Sequence, residues 1–128
     1  MALLAEPNEF LDLAHGDAIR IRVSKYEEGE AQISPRSPSP RQIHQYMEEQ
    51  GLTSPPAPGA PIKIKVPVLR IWITRLDKPS HVPYYDISSK ILQAALLPLL
   101  RSGAYKRQTY TITAEGTKPL KRYSLEVS

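Results

Sequence analysis

Arg20 and Arg22, Arg70 and Trp72, and Arg122 occupy alternate positions of segments that read as strands. Within a strand, residues two apart leave the backbone on the same side. If these strands share one sheet face, with Thr109, Thr111 and Thr113 on a fourth, they form a basic surface carrying a tryptophan. The chemistry of such a surface is recognition of a polyanion. The guanidinium fork fits phosphate oxygens, and an indole face stacks a base for ~1–3 kcal/mol. Lys106, Arg107, Lys118, Lys121 and Arg122 make a second basic group at the ends of the final hairpin. Both sets also suit the wet side of a half-covered sheet. Taken together they point to a nucleic-acid partner held by backbone charge and stacking rather than by base edges.

Other chemistry finds fewer residues. His15, His44 and His81 have no partner at metal-ligand spacing, although His81 stands near Asp77 and Asp86. Tyr84, Tyr85 and Asp86 precede an apolar run, where Asp86 is placed to cap a helix. There is no cysteine, which removes disulfides, thiol nucleophiles and thiolate metal sites. The phosphate-cradling, zinc-protease and nucleophile-elbow patterns are missing as well. The expectation is a protein that is not an enzyme and takes no metal or cofactor.

Charge is divided along the chain. Residues 1–51 hold five Lys/Arg and nine Asp/Glu; residues 52–128 hold twelve and four. An acidic front can fold against the basic back, or the back can meet an anionic partner. The longest apolar run, Ala94 to Leu100, is far short of the ~20 residues a membrane helix needs. The start, MALLAEPNEF, lacks a basic region before its apolar residues. An intracellular protein, cytoplasmic or nuclear, is the expectation.

These side chains depend on the elements that carry them. Residues 3–16 predict a short helix with Pro7 in its first turn and Gly16 as its stop. Residues 17–26 alternate as a half-buried strand, with Ile19, Ile21 and Val23 inward. Residues 27–61 read as an insertion: two Pro/Ser-rich mobile linkers around a helix at 41–51 that stops at Gly51. Thirteen prolines are about twice the usual ~5%.

The 62–128 block reads as a β-α-β-β core within one domain. In residues 62–75 the apolar parity changes between Val68 and Leu69, which predicts a β-bulge beside Pro67. The helix after Asp86 should be largely buried, and Pro98 should kink it or stop it at Leu97. Residues 104–114 and 119–127 predict the final two strands.

The fold class is α+β: a small, mostly antiparallel sheet with one dominant helix. The leading functional expectation is a nucleic-acid-binding module. The alternative is a protein-interaction or homo-oligomeric assembly subunit, with the apolar helix and the 41–51 helix at its interface.

Overall fold

The computed structural model describes residues 2–117 and 120–128. Five strands form one antiparallel sheet: β1 (Ala18–Ile33), β2 (Ile64–Arg75), β3 (Tyr84–Ile87), β4 (Tyr110–Glu115) and β5 (Arg122–Val127), in the order β3-β2-β1-β4-β5. Helix α1 (Pro40–Gln50) lies in the β1–β2 connection and α2 (Lys90–Arg101) in the β3–β4 connection. The α+β class follows. Among the described residues, no helix is long and apolar enough to cross a membrane.

β1 is the spine of the sheet. It pairs with β2 along most of its length and with β4 at Ala18–Ile21. The 62–128 block therefore supplies four strands, of which β2 and β4 are joined only through β1. β1 also runs seven residues further than its clean alternation, through 27–33, because β2 offers an unbroken ladder there.

The phase change in β2 has another cause than a bulge. Register is continuous at Glu30↔Pro67 and Gly29↔Val68. Leu69 and Ile71 are buried on the face that α2 covers, whereas Val68 is buried on the opposite face under Leu4. Two faces are covered in succession, and apolar residues follow the cover. The bulge lies in β1 instead, between Val23 and Lys25, where Ser24 is the extra residue and its hydroxyl donates to the Trp72 carbonyl (3.4 Å).

Pro67 is accommodated by an edge. The Lys65 N–H donates to Glu49, the Lys65 carbonyl accepts from Gln45 and the Pro67 carbonyl accepts from Gln93, so this row points away from β1. β3 pairs only with Leu69–Trp72, so the missing proline N–H costs no ladder bond.

Residues 2–16 form a wrapping strap, not a helix. Leu3 bridges Glu30 on the β1 edge not taken by β2, and Phe10 bridges Asp86 on the outer edge of β3. In between, the strap crosses the outer sheet face. Gly29 admits it: a Cβ there would lie 2.5 Å from Leu4 Cδ2. Past β3 the strap turns inward and Leu11 joins the main core. It then reaches β5, whose Tyr123 hydroxyl donates to the Leu11 carbonyl (3.3 Å) and accepts from the Leu13 N–H (3.4 Å). Residues 9–13 thus bridge the two edge strands, and the sheet is rolled toward a partly open barrel.

The core inside the roll comprises Ile19, Ile21, Ile71, Tyr110 and Ile112 with Leu92, Leu96 and Leu100 of α2. The cap of α2 is Ser89, not Asp86, which lies within β3. α2 runs through Pro98 to Arg101 without stopping at Leu97. Only one stripe is buried: Ile91 is 71% exposed, and Ala94, Ala95 and Pro98 face out with it. A turn of 3-10 helix (Ala104–Arg107) follows at Gly103, whose φ of 81° favours glycine. α1 ends at Gly51 in the left-handed region, as expected from its sequence, and opens one residue earlier than expected, at Pro40, with a Ser39/Gln42 capping box. The two Pro-rich segments beside it, outside helix and strand, touch through Ser34 Oγ and the Ile62 carbonyl (2.8 Å).

Leu96→Ala removes a fully buried side chain and should lower unfolding free energy by ~2–5 kcal/mol, read from urea midpoints. Ile91→Ala, one turn away on the outer stripe, should change it by less than ~0.5 kcal/mol.

Tyr110 is buried, its hydroxyl donates to Gln108 (2.8 Å), and desolvation raises its pKa. Its stabilising contribution is present below ~10, the unfolded value, and lost as pH rises through the higher folded value. Tyr110→Phe should flatten that alkaline loss in a pH series of denaturation curves.

Candidate functional site

The outer face of β2 and β3 is built in rows by strand register. One row is Glu27, Arg70 and Asp86; the next is Lys25, Trp72 and Tyr84; Arg22 and Thr74 lie below. The bulge at Ser24 makes the second row possible. Before it, even-numbered residues of β1 face outward; after it, odd-numbered ones do, so Lys25 comes opposite Trp72.

In the first row, Arg70 is 2% exposed and Asp86 0%. Arg70 donates from Nε to Asp86 Oδ1 (2.7 Å) and from Nη2 to Oδ2 (3.0 Å). The strap closes over the pair: Asn8 Nδ2 and the Glu9 N–H donate to Asp86 Oδ2, and Arg70 Nη2 reaches the Pro7 carbonyl (3.5 Å). The hydrogen bond to Asp86, and then its charge, hold the Arg70 pKa above the usual value against desolvation. The expectation that Arg70 is an outward phosphate contact is corrected here. Its position has the outward parity, but the strap covers it.

The second row stays partly open. Lys25 Nζ lies 4.4 Å from the Trp72 ring centre, the Trp72 and Tyr84 rings are 5.7 Å apart at 57°, and Arg70 lies 4.2 Å from the Tyr84 ring. The two rings thus lie side by side between two cations, across three strands. Trp72 and Tyr84 are both half-buried, and the Tyr84 hydroxyl donates to the Pro7 carbonyl. Lys25, Arg20 and Arg22 are exposed, and among the described residues none of them is in an ion pair.

The remaining basic residues are dispersed. Arg122 is exposed on the same outer face, but on β5, three strand spacings (~14 Å) across the sheet from Trp72 and about eight residues further along it, because Trp72 is level with Lys25 whereas Arg122, opposite Glu115, lies past the Ala18↔Thr113 pair. Lys106 and Arg107 lie beyond the Tyr110↔Val127 end of the last hairpin, whereas Lys121 and Arg122 lie at the Glu115↔Arg122 end. Six-residue strands separate the two pairs, so they make two groups. Lys121 is committed to Asp12 (2.6 Å). Lys118 lies outside the described residues.

Lys25 and Tyr84 are absent from the sequence-level set. The step from Val23 to Tyr26 breaks the period of two, and that signal was available for Lys25. Nothing local marks Tyr84 as a strand residue beside Trp72. The acid–base idea around His81 finds no support in geometry, because Asp77 pairs with Arg75 (2.8 Å) and Asp86 with Arg70. Among the described residues, no three His/Cys/Asp/Glu side chains are grouped to hold a metal.

Comparison with protein families, with curated proteins and with solved structures returns no match.

Asp86→Asn leaves Arg70 charged and without its counterion under the strap, and should cost ~3–5 kcal/mol. Asp77→Asn breaks a bidentate pair at the protein surface and should cost at most ~1 kcal/mol. Chemical denaturation of the two variants checks the contrast.

Proposed function

We propose that the chain is a non-enzymatic module that binds single-stranded nucleic acid on the outer face of β2 and β3. The observation that carries the reading is the Lys25–Trp72–Tyr84 row, with Arg20 and Arg22 beside it and, among the described residues, in no ion pair. Half-exposed rings stack bases of any identity, and flanking cations meet the backbone. The indole is already polarised by Lys25, so a base stacking on it joins an existing cation–π arrangement.

Connectivity gives independent support. Five strands in the order β3-β2-β1-β4-β5, rolled so that the two edges approach, follow the plan of the OB-fold, a partly open Greek-key barrel. That plan takes up oligonucleotides or oligosaccharides on its β2–β3 face and on the β1–β2 and β4–β5 loops. This is a likeness of connectivity; the functional argument rests on the side chains. Here the β1–β2 loop holds α1 and the β4–β5 loop holds Lys121.

The assembly reading draws on a different observation, the outward stripe Ile91, Ala94, Ala95 and Pro98 of α2. Its apolar residues are small apart from Ile91, and the aromatic row has no role in it. The nucleic-acid reading uses more of the surface chemistry and is preferred.

Trp72→Ala should weaken binding of a single-stranded oligonucleotide by ~1–3 kcal/mol and leave its salt dependence unchanged, because stacking is not ionic. Arg20→Ala and Arg22→Ala should each reduce the slope of log K against log salt by ~0.7, the value for one contact to a single strand. Fluorescence anisotropy at several salt concentrations reads both. Absence of binding by the unaltered chain at low salt, together with sedimentation as a dimer, would transfer the reading to assembly.

A further inference from the structure

A concavity of about 710 Å³ opens away from the aromatic row. It lies between α1, the outer edge of β2, the start of α2 and the strap where it meets β5. Its floor is apolar, with the buried Ile87 and Leu92 at its base. Two aromatic side chains line it: Phe10, 37% exposed, and the half-buried Tyr123, whose hydroxyl is tied to the strap.

Most of the charged side chains of the lining are cations. Arg41 comes from α1, Lys65 from β2 and Lys90 from α2, all exposed and, among the described residues, none in an ion pair. Asp12 is the one acid of the lining and is engaged by Lys121 at 2.6 Å. α2 adds to the imbalance. Its first turn contains no acid and begins with Lys90, so the positive end of the helix dipole and a lysine charge coincide at the cavity mouth. Three elements thus each bring a cation to the rim of a cavity with an apolar floor and two aromatic side chains, with the Glu49 carboxylate at the Lys65 N–H as the neighbouring acid. The size is ordinary for a small-ligand site.

We infer that this cavity binds an organic phosphate with an aromatic body: a mononucleotide, either free or as the 5′-phosphorylated end of a strand. The base lies against Phe10 or Tyr123, and the phosphate meets Arg41, Lys65 and Lys90. The strand-end form rests on the nucleic-acid reading above; the free form does not.

Calorimetric titration of the full chain tests it with AMP, with adenosine, and with one oligonucleotide carrying either a 5′-phosphate or a 5′-hydroxyl. A free-nucleotide site binds AMP at least tenfold tighter than adenosine, and the double variant Lys65→Glu/Lys90→Glu loses that difference while keeping its circular dichroism spectrum. Trp72→Ala leaves AMP binding unchanged. A strand-end site shows no AMP binding but at least tenfold preference for the 5′-phosphorylated strand, lost in the same double variant. The inference is overturned if AMP and adenosine behave alike and the two strand ends do too, or if either preference survives the double variant. A chain that takes AMP but no oligonucleotide keeps the cavity site and removes the sheet-face reading.

Discussion

Taking a guanidinium and a carboxylate out of water costs several kcal/mol for each ion, and only close geometry with further hydrogen bonds recovers it. Arg70 and Asp86 meet that condition through a bidentate contact between β2 and β3, completed by Asn8 and the Glu9 amide. The pair therefore requires the strap. The strap in turn requires an edge at Asp86, where the Glu9 carbonyl and the Leu11 N–H complete the backbone pairing. From there it can reach Tyr123 and close the roll. One buried ion pair thus links the short edge strand, the strap across the outer face and the approach of β5.

The same constraint divides the outer face into a dry part and a wet part. Above the Trp72 row, Leu4 packs on Ala31 and Val68 over Gly29. Below it, Arg20, Arg22 and Thr74 have no cover. Trp72 and Tyr84 lie at the border and are half-exposed for that reason. Trp72 is held there between the Lys25 ammonium, which lies over its ring, and the tilted ring of Tyr84.

Strand positions were legible in the sequence wherever a single face was covered. Ile19, Ile21 and Val23 alternate because α2 and its neighbours lie on one side, and Gly51 marks the end of α1 directly. Legibility failed where cover came from a distant segment. Val68 and Leu69 are both buried because the strap and α2 lie on opposite faces, and adjacent apolar residues then imitate a bulge. Residues 3–16 carry enough apolar side chains for a helix, but the pairing that holds them extended is with residues some 20 to 110 positions away. Arg70 reads as a surface arginine for the same reason: its partner and its cover are both remote. The aromatic row was half legible, Trp72 from its parity but not its neighbours Lys25 and Tyr84.

Ser24 behaves as a one-residue frame shift within β1. Upstream of it the outward side chains carry even numbers, downstream odd ones, and the ladder to β2 resumes without further slip. The insertion is absorbed where it occurs: Val23 stays opposite Ile73 and Lys25 opposite Trp72, so a strand lacking Ser24 would alternate without interruption and keep Lys25 and Glu27 outward, Tyr26 inward and Gly29 beneath Leu4. Filling the same space without Ser24 would instead require a slip of the whole ladder, and that slip would turn every later side chain to the other face. The bulge thus confines to one position a length difference that would otherwise be felt along the rest of the molecule's longest strand.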